Sequence, residues 1–147
     1  MGYCTSEDIL LEISSADLAR LTGDASGQTI NYTKIDYAIG NADAVINSFL
    51  YGRYPIPFQD VIDPVIRKLS LDLTIANLYE YAYAKTIMPQ TIVYRRLNAL
   101  RMLKDVQAGF VSLLDANLGT QPPPLISNKT AEDRLFTEEL LNEFIDL

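Results

Sequence analysis

The stretch LYGRYPIPF, residues 50–58, sits between two long segments whose apolar residues recur at helical spacing. Gly52 stands where a helix wants a left-handed residue just past its end. Pro55 and Pro57 then hold the chain extended and forbid its continuation as helix. Tyr54 and Phe58 supply bulk to close the end of a helical bundle. Two readings follow: a rigid structural corner of Gly52, Pro55 and Pro57, or an exposed corner whose Arg53 and Tyr54 meet another subunit. On the first reading Arg53 donates to carbonyls at a helix C-terminus.

Working outward, residues 32–51 place Ile35, Ala38, Ile39, Ala42, Val45, Ile46, Phe49 and Leu50 at steps of three and four, one apolar stripe. On the far side, Asp63 before Pro64 reads as an N-cap with proline at the first helical position. A helix over 64–85 is expected, with Val65, Ile66, Leu69, Leu73, Ala76, Tyr79 and Tyr83 inward. A third long helix starts at Pro89 and ends at Gly109, with Ile92, Val93, Leu97, Leu100, Leu103 and Val106 facing the core. Thr5 and Ser14 or Ser15 cap two short helices near the start. The run FVSLL, 110–114, reads as a short strand. Residues 115–129, with Pro122–Pro124, read as an extended linker. Residues 130–147 regain helical periodicity and read as a docking arm carrying Leu135, Phe136, Leu140, Leu141, Phe144 and Ile145. The expected fold is therefore all-α: a bundle over residues 1–114 with three long helices and two short N-terminal ones, followed by the linker and the arm.

The chemistry expected is sparse. The 147 residues contain no histidine, which removes the commonest general base and metal ligand, and one cysteine, which cannot build a zinc site. No phosphate-binding or nucleophile-elbow motif is present. No catalytic residue, metal or cofactor is expected, and an enzyme is disfavoured. No apolar run reaches membrane-spanning length. The start, MGYCTSEDILLEI, has no basic region ahead of an apolar run, so no signal peptide is expected.

The net charge of −7 argues against a general nucleic-acid binder. Its distribution is uneven. Residues 53–104 hold eight bases and four acids, about +4, and the flanks together carry the remaining −11. A chain so divided can stack head to tail on copies of itself. The plainer reading is a set of solvated helix faces. Arg95, Arg96 and Arg101 lie mostly off the apolar stripe of their helix and are the inter-subunit candidates beside Arg53 and Tyr54. Nine tyrosines with no tryptophan either suit an interface or line a small core with wet hydroxyls.

These pieces resemble a family. Tyr3, Thr5, Asp8 and Ile9 form its start, and Leu21–Thr22 follow. Then come Ala38, Ile39, Ala42, Asp43, Ile46, Phe49 and Leu50 on a long helix leading straight into Arg53, Tyr54 and Pro57. The set resembles the Mu-like prophage head–tail proteins, formerly a domain of unknown function, which are similar to the head-completion or adaptor proteins of tailed bacteriophages. The resemblance covers residues 3 to about 109, and Arg134, Leu135, Phe136, Thr137 and Leu141 look like the end of such chains. It implies a virion protein, assembled in the host cytoplasm, that forms a ring, commonly a dodecamer, beneath the portal protein. Such a ring passes double-stranded DNA without specific binding and offers a platform to a stopper or tail terminator. A lumen lined by acids of the N-terminal third, or of the loop near Asp24, is expected. The alternative is a small oligomeric DNA-binding protein such as a terminase small subunit.

Overall fold

The computed structural model describes residues 2–59 and 61–113. Five helices follow in order: α1 Ser6–Glu12, α2 Ser15–Leu21, α3 Tyr32–Leu50, α4 Pro64–Ala82 and α5 Gln90–Ala108. No strand occurs among the described residues. The linker and the arm, with Leu135, Phe136, Leu140, Leu141, Phe144 and Ile145, lie outside them.

Local chemistry sets the boundaries. The Thr5 hydroxyl accepts from Asp8 N–H while the Asp8 carboxylate accepts from Thr5 N–H, a reciprocal cap that starts α1. Ser14 caps α2 through Asp17 N–H, and Asn31 caps α3 through Lys34 N–H. Asp63 accepts from Val65 N–H at 2.7 Å, with Pro64 at the first turn of α4. Gly109, at φ 89°, ends α5.

α4 is the central element, packing against each of the other four helices. From Leu69 to Leu78 its only residue that is not fully buried is Asp72, and the buried set includes Ser70, Thr74 and Asn77. Each of these three polar side chains finds a partner, as buried polar groups must. Ser70 donates to Asp43, Thr74 lies 3.6 Å from Cys4 Sγ, and Asn77 Nδ2 donates to the Ala38 carbonyl at 3.2 Å. The core has two parts. Near the corner, Ile46, Leu50, Tyr54, Ile66, Leu69, Leu103 and Val106 pack with Leu113. At the other end, Ile9, Leu18, Ile35, Ala38, Ile75 and Leu78 join α1 and α2 to α3 and α4. Early α4 thus meets late α5, and Ile92 of early α5 packs with late α4, so the two helices run antiparallel.

Four expectations are corrected. α4 stops at Ala82, three residues short of 85, in a turn closed by Thr86 N–H on the Tyr83 carbonyl. Tyr83 therefore leaves the core and stacks on Tyr79 at 5.8 Å between centroids. Leu97 is 51% exposed because the buried stripe of α5 runs through Ala99, Leu103 and Val106, and two residues turn a helix by about 200°, which puts Leu97 on the opposite face from Ala99. Residues 110–113 form no strand: Gly109 turns the chain, Phe110 stays exposed, and Leu113 drops back into the core.

Candidate functional site

The corner is built as a plug. Gly52 has φ 82°, and the Arg53 and Tyr54 N–H groups both donate to the Leu50 carbonyl at 3.1 Å, closing the end of α3. Tyr54 is buried, and its hydroxyl accepts from Leu113 N–H. Phe58 meets the Tyr3 ring edge-on at 5.5 Å, and Phe58 N–H donates to the Tyr3 hydroxyl. Arg53 reaches a helix C-terminus, but that of α5 rather than of α3. Its Nη1 donates to the Gln107 carbonyl at 3.4 Å, and its guanidinium fills the space beside Gly109. The guanidinium also lies over the Tyr54 ring at 5.8 Å. Pro55 and Pro57 stiffen the loop, whose Ile56–Pro57 peptide is cis.

Next to the plug lies a polar lock. Asp43, on α3, accepts from Tyr3 N–H at 2.9 Å and from the Ser70 hydroxyl at 2.7 Å. One turn on, Asn47 accepts from the Tyr3 hydroxyl. Cys4 Sγ sits 3.3 Å from Ser70 Oγ. Residues 3 and 4 are thereby tied across α3 and α4. Burial pushes the Asp43 carboxyl up, although the Ser70 and Tyr3 hydrogen bonds pull it down. Burial also raises the Cys4 thiol and the Tyr3 phenol, so neither favours its ionised form. A shallow groove of about 520 Å³ opens beside the lock, between Gly2, Ser6, Asp36 and Gly40.

The basic residues of α5 divide into two sets. Arg95 contacts Glu12 of α1 and Asp72 of α4, and Lys68 donates to the same two carboxylates at 3.2 and 2.6 Å. Arg96 pairs with Glu80. These two inter-subunit candidates thus hold partners within the chain. Arg101, with Arg67 and Lys104, is exposed and makes no ion pair among the described residues. Sequence reasoning missed the Asp43 lock and the Glu12–Lys68–Asp72–Arg95 cluster. The i, i+4 pairs 43/47 and 68/72 were visible, but their distant partners were not.

Two other features bear on what the surface can do. Tyr37 and Tyr81 are both exposed and lie 6.0 Å apart, with Asn41 Nδ2 donating to the Tyr81 hydroxyl. Asp24 holds its own loop: the Ser26 hydroxyl, with Thr29, Ser26 and Gln28 N–H, lowers its carboxyl to about 2. No group of three or more potential ligand side chains that could hold a metal occurs among the described residues. No described helix is long and apolar enough to cross a membrane.

Residues 3–130 match the family model described as Bacteriophage Mu, Gp36. No curated protein sequence matches the chain.

Proposed function

The chain belongs to the Bacteriophage Mu, Gp36 family, and on that premise we propose that it is a structural connector at the head–tail junction of a tailed phage particle. In this reading copies associate head to tail into a ring, the dodecamer being the size its likeness to adaptor proteins implies. The ring docks on the portal protein and carries a stopper or tail terminator. Double-stranded DNA passes through it without specific binding. Acids of the N-terminal third face the bore.

The observation that supports this most is the state of the bases on α4 and α5. In a chain of net charge −7, Arg67, Arg101 and Lys104 stand exposed with no ion-pair partner among the described residues. Glu7 and Asp36 are exposed on α1 and α3. A heterologous contact that sets one face against the other propagates, and it closes into a ring when the rotation per copy allows. Charge pairs at such a rim set register and encounter rate more than affinity. The role is structural, and the reading requires no catalytic step and no cofactor.

Negative-stain images and native mass of the purified chain test it. Closed rings of uniform mass are expected, with no retention of duplex DNA in a mobility-shift assay at moderate salt. A monomer at every concentration sinks the ring. Tight duplex binding at moderate salt points instead to the small DNA-binding protein.

A further inference from the structure

Between α4 and α5 runs a mostly apolar groove of about 400 Å³, walled by Pro64, Val65, Leu69, Ala99 and Met102, with Lys68, Asp72 and Asn98 also lining it. We propose that this groove takes the acidic, apolar segment 134–145 of a second copy of the same chain. The inference rests on the self-association put forward above and names one further contact within it.

Charge is the first argument. Segment 134–145 carries three acids, Glu138, Glu139 and Glu143, against one base, Arg134, a net −2, and Glu132, Asp133 and Asp146 flank it. Between the acids, Phe136, Leu140 and Phe144 recur at steps of four, as do Leu141 and Ile145. The groove offers the complement. Its floor is apolar, and the exposed bases Arg67 and Arg101 are the immediate chain neighbours of the wall residues Lys68 and Met102. Of the acids, Asp72 lines the groove but is already paired with Lys68 and Arg95, Asp63 is buried as the N-cap of α4, and Asp105 lies one turn beyond Met102. An amphipathic segment laid in a groove with its charged edges outward is a recurrent mode of peptide recognition.

Chain length is the second argument, and it separates a second copy from the chain's own segment. The described part ends at Leu113, which packs in the same core cluster as Leu69 and Ala99, the floor of the groove. A return to the chain's own groove therefore starts close by. Residues 114–133 nevertheless intervene, and they include the consecutive prolines Pro122–Pro124. At roughly 3.3 Å per extended residue, twenty residues span up to about 65 Å, and prolines resist folding back. That reach suits the groove of a neighbour.

Cross-linking of full-length chains tests this, with Cys4 left in place because it is buried. Two chains, Met102→Cys and Leu140→Cys, are mixed and treated with a mild oxidant. Met102 is 39% exposed, so its substitution leaves the core intact. A disulfide-linked pair is expected at roughly tenfold the yield of either chain alone. The chain carrying both substitutions should give a ladder of linked multimers. A doubly substituted chain that closes only on itself overturns the inference, because the segment then covers its own groove. So does a mixture with no excess of linked pairs while native mass shows assembled rings; the groove then serves another partner, and the connector reading stands. Linked multimers without closed rings would sustain the inference and sink the ring. As a second readout, Met102→Glu should raise the concentration needed for half-assembly about tenfold with helicity unchanged. Unchanged assembly in that variant overturns the inference as well.

Discussion

Gly52 has no atom within 4 Å of where a Cβ would stand, so a side chain there meets open space. Its φ of 82° is the constraint, since L-residues other than glycine rarely adopt it. Gly52→Val should cost about 1–2 kcal/mol in urea unfolding, all of it backbone strain. A loss below a few tenths would mean that the corner relaxes to negative φ. This position was legible in the sequence because helix stops follow local rules. Asp43 was not, because its partners Tyr3 and Ser70 lie 40 and 27 residues away. Asp43→Ala should cost about 1–3 kcal/mol, since it leaves Tyr3 N–H and the Ser70 hydroxyl without their acceptor. The pH dependence distinguishes this carboxyl from a surface one. Its folded-state pKa is raised, so the folded chain holds the proton more tightly than the unfolded chain. That contribution is fully present below the unfolded pKa and is lost as pH rises through the folded one. Asp43→Asn should remove this decline, and unfolding midpoints measured from pH 3.5 to 7 check it. A variant with the same decline as the parent would assign it to another group.

The helices were legible in proportion to how one-sided they are. α3 buries a single stripe: of its expected core residues, Ile35, Ala38, Ile39, Ala42, Ile46 and Leu50 are buried, and Val45 and Phe49 are partly buried. α4 is covered on nearly every side, so a reading for one inward face found Ile66, Leu69, Leu73 and Ala76 and missed Ser70, Leu71, Thr74, Ile75, Asn77 and Leu78. A helix buried all round carries no amphipathic signal to read. α1 adds an element-level device. Its last residue, Glu12, joins Arg95 and Lys68, so α1 is held to α4 and α5 by charge as well as by Ile9. Burial raises the Glu12 carboxyl, but hydrogen bonds and charge from Arg95 and Lys68 outweigh it and hold the pKa below the usual value. A depressed folded pKa gives stability that is present above the unfolded pKa and lost as pH falls through the folded one. Arg95→Ala should therefore cost about 0.5–1.5 kcal/mol at pH 7, discounted because the pair is partly exposed. It should also make the loss of stability below about pH 4.5 shallower. Unfolding curves at pH 7 and pH 3.5 read both effects, and an acid limb as steep as the parent's would show that Lys68 alone holds Glu12.

At the scale of the whole molecule, the charge division visible in the sequence did not reveal which bases are free. Arg95 and Arg96 looked equivalent to Arg101 by position off the apolar stripe, yet each is engaged within the bundle. Reversing them would press new carboxylates against Glu12, Asp72 and Glu80 and disturb the fold itself, so a loss of assembly there would be ambiguous. Arg101 and Lys104 avoid this, being exposed and without ion-pair partners among the described residues. Arg101→Glu with Lys104→Glu in the full chain should leave helicity and urea midpoint nearly unchanged, since surface substitutions of this kind fall within about ±0.5 kcal/mol. Assembly should weaken by roughly tenfold or more at low salt, as a contact steered by opposite charges becomes one between like charges. The two proteins should then converge as salt rises, because the Debye length shrinks from about 10 Å at 0.1 M to about 3 Å at 1 M. Sedimentation at 0.05, 0.15 and 1 M salt measures this. Equal assembly of both proteins at 0.05 M would show that the free bases of α5 face solvent in the assembled state, and the contact between copies would then rest on apolar burial, as in the groove between α4 and α5, rather than on charge.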